Sequence, residues 1–364
     1  MYNVAIIGCG RISHKIAEGI AKNHDRMRLV ALCDPIEEKM FETEKTYNKK
    51  IENELSLLKY KDYKEILDQN KIDIAIISTE SGYHEDIGLY FLENGVNLII
   101  EKPLAMSIEG AQKLVDTAKK NNLKLAASHQ NRFNYPIQLL KKAIKENRLG
   151  KIFNGMARIL WTRDDNYYLQ APWRGTWALD GGTLMNQCIH NIDLINWMMD
   201  DEIDTVYAQT SNYIRNIEAE DYGVIVIRYK SGKIATIEGS AIVYPKNLEE
   251  TLTITGEKGT VVIGGMAVNK INTWRVEGDN EAEYLSIDCG DPNSVYGYGH
   301  EALYKDFLDA LDENRDPLVN GKDGLEAVKI ILAAYKSQKT GMAIKFDELK
   351  EFSTLDMKNI KLKK

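Results

Sequence analysis

Val4-Ala5-Ile6-Ile7-Gly8-Cys9-Gly10-Arg11-Ile12-Ser13 stands near the start of the chain, and Leu29-Val30-Ala31-Leu32-Cys33-Asp34 follows it. The first is a short apolar run that ends at a glycine. Ile12, Ile16 and Ile20 then recur at helical spacing as far as Lys22. The second is another apolar run, ending at an acidic residue. The turn Gly8 to Ser13 fits G-x-G-x-x-[small], set between strand and helix. The first glycine permits a tight turn. The second lets backbone N–H groups approach an anion at the helix N-terminus, and the third small residue allows close helix–strand packing.

The pattern continues outward. Ile72 to Ile77, Val96 to Ile100 and Leu123 to Ala127 are further apolar runs. Helical segments lie between them, including Tyr83 to Glu93 and Ile108 to Lys120. Continuous apolar strands alternating with helices signal a buried parallel sheet covered on both faces. After about residue 150 strand patterns dominate: Lys151 to Thr162, Thr205 to Asn212, Asp221 to Tyr229, Lys233 to Ile242, Thr251 to Thr255 and Thr260 to Ile263. Turn signals such as Ser231-Gly232 and Gly256-Glu257-Lys258-Gly259 join them, which predicts a large, mostly antiparallel open sheet. Helices are expected at Leu184 to Met199, His300 to Leu311 and Leu325 to Thr340. The expected fold class is α/β, a Rossmann domain over 1–127 followed by an α+β domain over 128–364. The helix at about 325–340 is expected to return toward the first domain.

The 364 residues carry a formal net charge of −7. That argues against wrapping nucleic acid or coating an anionic membrane, since both need positive faces. Lys358 to Lys364 reads as a solvated basic tail. Cys9, Cys33, Cys188 and Cys289 form no C-x-x-C pair, so neither a zinc ribbon nor a dithiol motif is indicated. Few, scattered thiols suit a reducing cytoplasm. There is no signal-peptide pattern and no stretch of about 18 apolar residues to span a membrane.

Strand before, helix after and Asp34 at the end of the second strand make the glycine turn a dinucleotide fingerprint. Asp34 lies 24 positions past Gly10, and its carboxylate can accept from both ribose hydroxyls. It would repel a 2′-phosphate, and Pro35-Ile36-Glu37-Glu38 offer no arginine for one. NAD is therefore favoured over NADP. Gly8, Gly10, Arg11, Ile12 and Asp34 are the first candidate cofactor residues.

Glu101-Lys102-Pro103 sits at the end of the Val96–Ile100 strand, where open α/β sheets bind ligands. It has company in Ser78-Thr79, His84 and Gln130-Asn131-Arg132-Phe133. Together with Gly181-Gly182, His190 and Asp193, and with Tyr335 and Ser337 on the last long helix, these motifs resemble the Gfo/Idh/MocA oxidoreductases. The resemblance covers nearly the whole chain. It implies cofactor contacts at Ser78, Thr79, His84, Glu101, Lys102, Asn131 and Arg132. It also implies that Lys102 touches the nicotinamide ribose and the substrate hydroxyl, with His190 facing it. No metal is implied, and dimers or tetramers through the second-domain sheet are. On the strand Asp221 to Tyr229, Tyr222, Val224 and Val226 fall on one face and are compatible with such an interface.

Asn186, His190, Asp193 and Trp197 fall at i, i+4, i+7 and i+11 and are expected to share one face of the helix Leu184 to Met199. One histidine and one carboxylate are thin for a metal site. In many family members an aspartate stands four residues before the histidine; here it is Asn186, which adds no negative charge. The run Leu184 to Asp193 looks more like the branch that oxidises the 3-hydroxyl of UDP-N-acetylglucosamine or its uronic acid. The preceding loop, Trp161 to Trp177, is rich in aromatics and arginine. Arg163, Tyr168, Trp173 and Arg174 could bind a sugar and an anionic group. Equally, its aromatics could pack on the sheet while its arginines pair with Asp164 or Asp165.

The expected activity is oxidation of a sugar secondary alcohol by NAD. Lys102, His190 and Asn186 are the candidate catalytic residues, with either His190 or Lys102 as the base. Substrate contacts are expected from Lys102, Arg163, Tyr168, Trp173, Arg174, Asn186, Gln187, His190 and Asp193. A free sugar, an inositol or a trans-dihydrodiol is an alternative substrate, and a non-catalytic NAD-holding sugar sensor an alternative role. Some members of the family recycle a tightly held NAD with a 2-oxo acid.

Overall fold

The computed structural model describes residues 1–290, 297, 299–358, 360 and 362. These group into two units, Met1–Gln130 with His300–Leu325 and Asn131–Gly299 with Glu326–Lys364. Most of the basic stretch 358–364 lies outside the described residues. No helix among the described residues is long and apolar enough to cross a membrane.

The first unit is built on a parallel sheet of β1 (Tyr2–Ile7), β2 (Met27–Cys33), β3 (Leu58–Tyr60), β4 (Ile74–Ile77), β5 (Asn97–Ile100) and β6 (Leu125–Ala127). Their order is β3-β2-β1-β4-β5-β6, and the switch from leftward to rightward winding falls between β1 and β4. β4 is buried throughout, as expected of a strand covered on both faces. At the mouth of that switch Gly8 has φ +93°, and a Cβ placed there would lie 2.6 Å from the backbone of Ser78 and Thr79. Only glycine permits both the dihedral and the approach.

The segment 300–325 from the second half of the chain groups with this unit. The helix Gly299–Asp312 explains it. Arg26 pairs with Asp309 at 2.5 Å and with Asp312 at 2.6 Å, and the buried Tyr304 ring lies against Gly19. Within the helix Gly321–Thr340, the part from Glu326 onward belongs to the second unit. There Ser337 Oγ accepts from the Ala208 amide at 3.0 Å and Gln338 Oε1 from that of Thr210 at 2.8 Å.

The second unit carries β7 (Ile152–Leu160), β8 (Ile203–Ser211), β9 (Tyr222–Tyr229), β10 (Ile234–Ser240), β11 (Glu249–Gly256), β12 (Gly259–Gly264), β13 (Lys270–Val276) and β14 (Ile344–Lys345). Their order is β13-β12-β11-β7-β10-β9-β8-β14, antiparallel except for the parallel pair β7/β10. One face packs under two short helices. Gly155 meets Ile195 and Met199, and Gly239 meets Cys188 and Leu184, so small residues let the helices sit close to the sheet. On the other face Tyr207, Val226, Thr236, Met156 and Thr253 line up in register across five strands.

The expected continuous helix Leu184 to Met199 is two helices, Thr183–Asn186 and Ile189–Met199. The Thr183 carbonyl accepts from both Gln187 and Cys188 at 2.9 Å, and the second helix restarts on the Cys188 carbonyl. Asn186 and His190 therefore do not share a continuous helical face.

Replacing Gly8 with alanine is expected to destabilise the chain by about 2 kcal/mol or more, because it adds a Cβ at a left-handed position against fixed backbone. Urea unfolding measures this, and an unchanged midpoint would show that the turn can relax. Burial also pushes Glu220 and Glu250 of the second unit up to about 8, from 4.5. Between these values the folded chain keeps protons that the unfolded chain releases, so stability should fall as pH rises from about 4.5 to about 8 and then level off. Glu220→Gln and Glu250→Gln should each remove part of that decline. If neither alters the pH dependence of unfolding, the two carboxyls are ionised in the fold.

Candidate functional site

The strands of the first unit end in one row. Gly8 N donates to Cys33 O at 2.8 Å, Ser78 N to Ile7 O at 2.7 Å, Glu101 N to Ile77 O at 2.8 Å and Ser128 N to Ile100 O at 2.9 Å. The sheet register thus sets Asp34, Gly8, Ser78 and Glu101 side by side just beyond the strand C-termini. Asp34 is buried. Its Oδ2 accepts from the Cys9 amide and its Oδ1 from the Ile36 amide, both at 2.9 Å. Each oxygen keeps a further lone pair for a hydroxyl donor. Ser13 fits the third position of the turn because its hydroxyl has work there. It donates to Gly10 O at 2.7 Å and lies 2.9 Å from Thr43 Oγ1. A Cβ on Gly10 would meet nothing within 4 Å, so the backbone there can be approached closely. Arg11 is exposed, and Ile12 is the N-cap of the helix Ser13–Lys22. A carboxylate for ribose hydroxyls, an approachable glycine and a helix N-terminus on one sheet edge fit a dinucleotide.

Ser78 Oγ donates to Gly8 O at 2.7 Å and so ties the two loops together, and Thr79 Oγ1 donates to Glu80 O at 3.3 Å. His84 is buried, with Nδ1 2.7 Å from Pro103 O and Nε2 3.1 Å from Thr79 O. Its ring links the loop after β4 to the loop after β5. Burial pushes its pKa down, against the pull of those carbonyls and of Glu101. Glu101 is also buried. Burial pushes its carboxyl up, but His300, Lys102 and Ser128 outweigh it and hold the group below its usual range. His300 Nε2 lies 3.7 Å from Glu101 Oε1, and Tyr304, one turn on, is buried with it. Lys102 is half-buried beside this pair.

In the second unit Asn131 is buried, and Arg132 grips Asp193 through Nε at 2.8 Å and Nη2 at 2.6 Å. The Arg132 guanidinium also lies over the Trp197 ring at 4.9 Å. The sequence reading gives the two residues separate ligand roles, Arg132 at the cofactor and Asp193 at the substrate. The two engage each other in a bidentate buried pair that clamps the segment after β6 to the helix Ile189–Met199. Trp197 packs on the pair.

His190 is half-buried at the start of that helix. Asn186 Nδ2 donates to Asp180 Oδ1, and Gln187 Nε2 donates to Asn186 Oδ1 at 3.2 Å and to Tyr167 Oη at 3.3 Å. The aromatic loop forms a ladder. Arg163 stacks on Trp161 at 4.6 Å and on Tyr167 at 5.3 Å, and Arg174 on Tyr167 at 4.2 Å and on Trp173 at 4.6 Å. The acids expected as alternative partners are used elsewhere. Asp164 caps the helix Asp165–Leu169, and Asp165 lies 3.4 Å from Arg215. Tyr168 packs edge-on against Tyr167, and burial pushes its phenol up.

Residues without a local signal complete the arrangement. Tyr335 donates to Glu220 Oε1 at 3.0 Å and accepts from the Gly182 amide at 3.3 Å, while Glu220 Oε1 also accepts from the Leu184 amide at 2.9 Å. This clasp holds the Gly181-Gly182 turn that leads to Asn186. Asp180, Glu220 and His300 are not among the sequence candidates. No spacing marks them, because their partners are distant in sequence or sit in a turn.

The family model described as "Oxidoreductase family, NAD-binding Rossmann fold" matches residues 2–129, and "Oxidoreductase family, C-terminal alpha/beta domain" matches residues 141–346. The chain is similar to the WlbA dehydrogenase of Bordetella pertussis, solved with NADH and UDP-GlcNAcA, at 32% identity and TM-score 0.82 over 94% of this chain and 98% of that one. The WlbA enzyme of Chromobacterium violaceum, with the same ligands, aligns at 32% identity and TM-score 0.84 over 94% of this chain and 95% of that one. Myo-inositol 2-dehydrogenase of Thermotoga maritima is 24% identical over 95% of this chain and 99% of its own length. With both domain models matched in order, the chain belongs to the Gfo/Idh/MocA family of NAD-dependent oxidoreductases.

Proposed function

We propose that this oxidoreductase oxidises the 3-hydroxyl of a UDP-N-acetylated hexose, best its uronic acid, with NAD as hydride acceptor. The observation that carries the proposal is the full-length 32% identity to a dehydrogenase solved with NADH and UDP-GlcNAcA. The stacked Arg163 and Arg174 support it, since guanidinium groups held by aromatic rings suit a carboxylate or diphosphate. Asp34, followed by Pro35-Ile36-Glu37-Glu38 and so by no arginine in sequence, supports NAD as the form used.

NAD held by the Gly8–Ser13 turn and Asp34 would supply the acceptor for the hydride leaving the carbinol carbon. The hydroxyl proton must leave with it, so a base has to lie within hydrogen-bond reach. In this reading His190 takes that proton. Lys102 orients the alcohol and opposes the developing alkoxide charge. His84 and the Glu101–His300 pair position Lys102 by fixing the loop on either side of it. Asn186 receives a hydroxyl or the imidazole. Gln187, Tyr168 and Trp173 are assigned to the sugar, and Ser78, Thr79, Arg11, Ile12 and Asn131 to the cofactor. The whole-length likeness to an inositol dehydrogenase favours a second reading, a free polyol substrate. The presence of both Lys102 and His190 counts against a sensor without activity.

NADH formation with UDP-GlcNAcA, UDP-GlcNAc, glucose and myo-inositol, each with and without 2-oxoglutarate, separates these readings. UDP-GlcNAcA is expected to give the highest kcat/KM. A faster inositol reaction would replace the nucleotide-sugar reading. Lys102→Met is expected to lower kcat by about 100-fold or more with NAD binding largely kept, and His190→Ala by a similar factor with loss of the pH dependence. Unchanged turnover in the lysine variant would refute its role.

The exposed row Tyr207–Val226–Met156 of the second-unit sheet supports assembly through that face, as dimer or tetramer. Val226→Lys with Met156→Lys should convert the assembly to monomers by light scattering. A wild-type monomer, or an unaltered mass in the variant, would exclude this interface.

A further inference from the structure

We infer that Asp180 is a positioning residue whose carboxylate fixes the side-chain amide of Asn186 with its carbonyl oxygen turned to the reacting groups. The inference rests on the reading above that Asn186 meets the substrate hydroxyl or the imidazole. A carboxylate can only accept hydrogen bonds. The Asn186 atom facing Asp180 Oδ1 must therefore be Nδ2, as the contact between them shows. The other end of the amide agrees, because Asn186 Oδ1 accepts from Gln187 Nε2 at 3.2 Å.

Asp180 is itself held firmly. It is 2% exposed, its Oδ2 accepts from the Gly175 amide at 2.7 Å, and its own amide donates to Thr176 O at 3.1 Å. The Gly181 amide closes the same turn on Thr176 O at 2.8 Å. The charge therefore sits on a rigid turn at the entrance to the helix Thr183–Asn186. Tyr168 feels it through space, together with Tyr167, Glu220 and Asp221.

The chemical consequence follows from polarity. Asn186 carries no charge, but an amide donating to a carboxylate becomes a stronger acceptor at its oxygen. An acceptor of fixed direction favours a hydroxyl donor in the substrate. It also favours an imidazole N–H as the base gains its proton. Asp180 thus supplies negative character one hydrogen bond away from the reacting atoms, without touching them.

A charge swap tests this. With UDP-GlcNAcA and NAD, Asp180→Asn should lower kcat more than it raises KM, by about 10- to 100-fold, since the amide at 186 then loses the charge that orients it. Asn186→Asp sets two carboxylates together, so one must hold a proton, and the acid limb of the pH profile should move to higher pH. The double variant Asp180→Asn, Asn186→Asp restores one amide donor and one carboxylate, and the new amide at position 180 can still accept from the Gly175 N–H through its oxygen. It should recover most of the loss of the single variants and return the profile toward wild type. Asp180→Asn within about 3-fold of wild type, or a double variant no better than Asn186→Asp alone, would overturn the inference. NAD affinity and melting temperature identify any variant that has not folded. Should the wild type leave UDP-GlcNAcA untouched, the substrate reading fails by itself. The inference is then decided by the Asn186 side-chain amide signal in asparagine-labelled protein. That signal should stand downfield and move on Asp180→Asn; an unmoved signal refutes it.

Discussion

The close approach of Gly8 to the backbone of Ser78 and Thr79 is the constraint on which the first unit turns. A side chain at position 8 would hold the loops after β1 and β4 apart. Without one, Ser78 reaches Gly8 O, and the strand ends fall into one row. That row presents Asp34, the glycine turn, Ser78 and the Glu101-Lys102 pair along a single sheet edge. The position of Lys102 is thus inherited from sheet register through two buried links, His84 between the loops and Glu101 beside His300.

The second unit solves a similar problem by other means. Its candidate site residues Asn186 and His190 lie on short helices, and short helices are weakly self-supporting. They are held instead from outside. Glycines in the sheet let Leu184, Cys188 and Ile195 sit close, Arg132 clamps Asp193, and the Tyr335–Glu220 clasp holds the turn. A buried charge pair such as Arg132–Asp193 gains little net stability over an apolar pair, but losing one partner is costly. Its value here is geometric, because it fixes the rotation of the helix that carries His190.

The alternation of strands and helices is legible in the first unit because each buried strand is a continuous apolar run. β3 escapes such a reading as a three-residue edge strand. The helix Glu37–Ile51 escapes it because its buried stripe is Met40, Thr43, Tyr47 and Asn48, half of it polar. The motif residues Gly8, Asp34, Glu101 and Lys102 can be found because their chemistry depends on local spacing. Asp180, Glu220 and His300 cannot, since each acts through a partner that only folding brings near. The break at Gln187-Cys188 is hidden for a related reason. The apolar period of Leu184, Ile189, Ile192 and Ile195 survives it, while the hydrogen bonds shift to Thr183 O.

The net charge of −7 sets the remaining condition. A dinucleotide is an anion, and a UDP-sugar acid would be a second one. Long-range attraction cannot gather them to an acidic protein, so binding must come from local groups that keep their charge unneutralised by protein acids. In the ladder Arg163 and Arg174 are stacked on aromatic rings, while Asp164 caps a helix and Asp165 lies 3.4 Å from Arg215. Arg132 illustrates the opposite use, a guanidinium taken by Asp193 and buried as structure. The same side chain is thus held by rings in one place and by a carboxylate in the other. For the proposed anionic substrate that distinction matters more than the count of arginines.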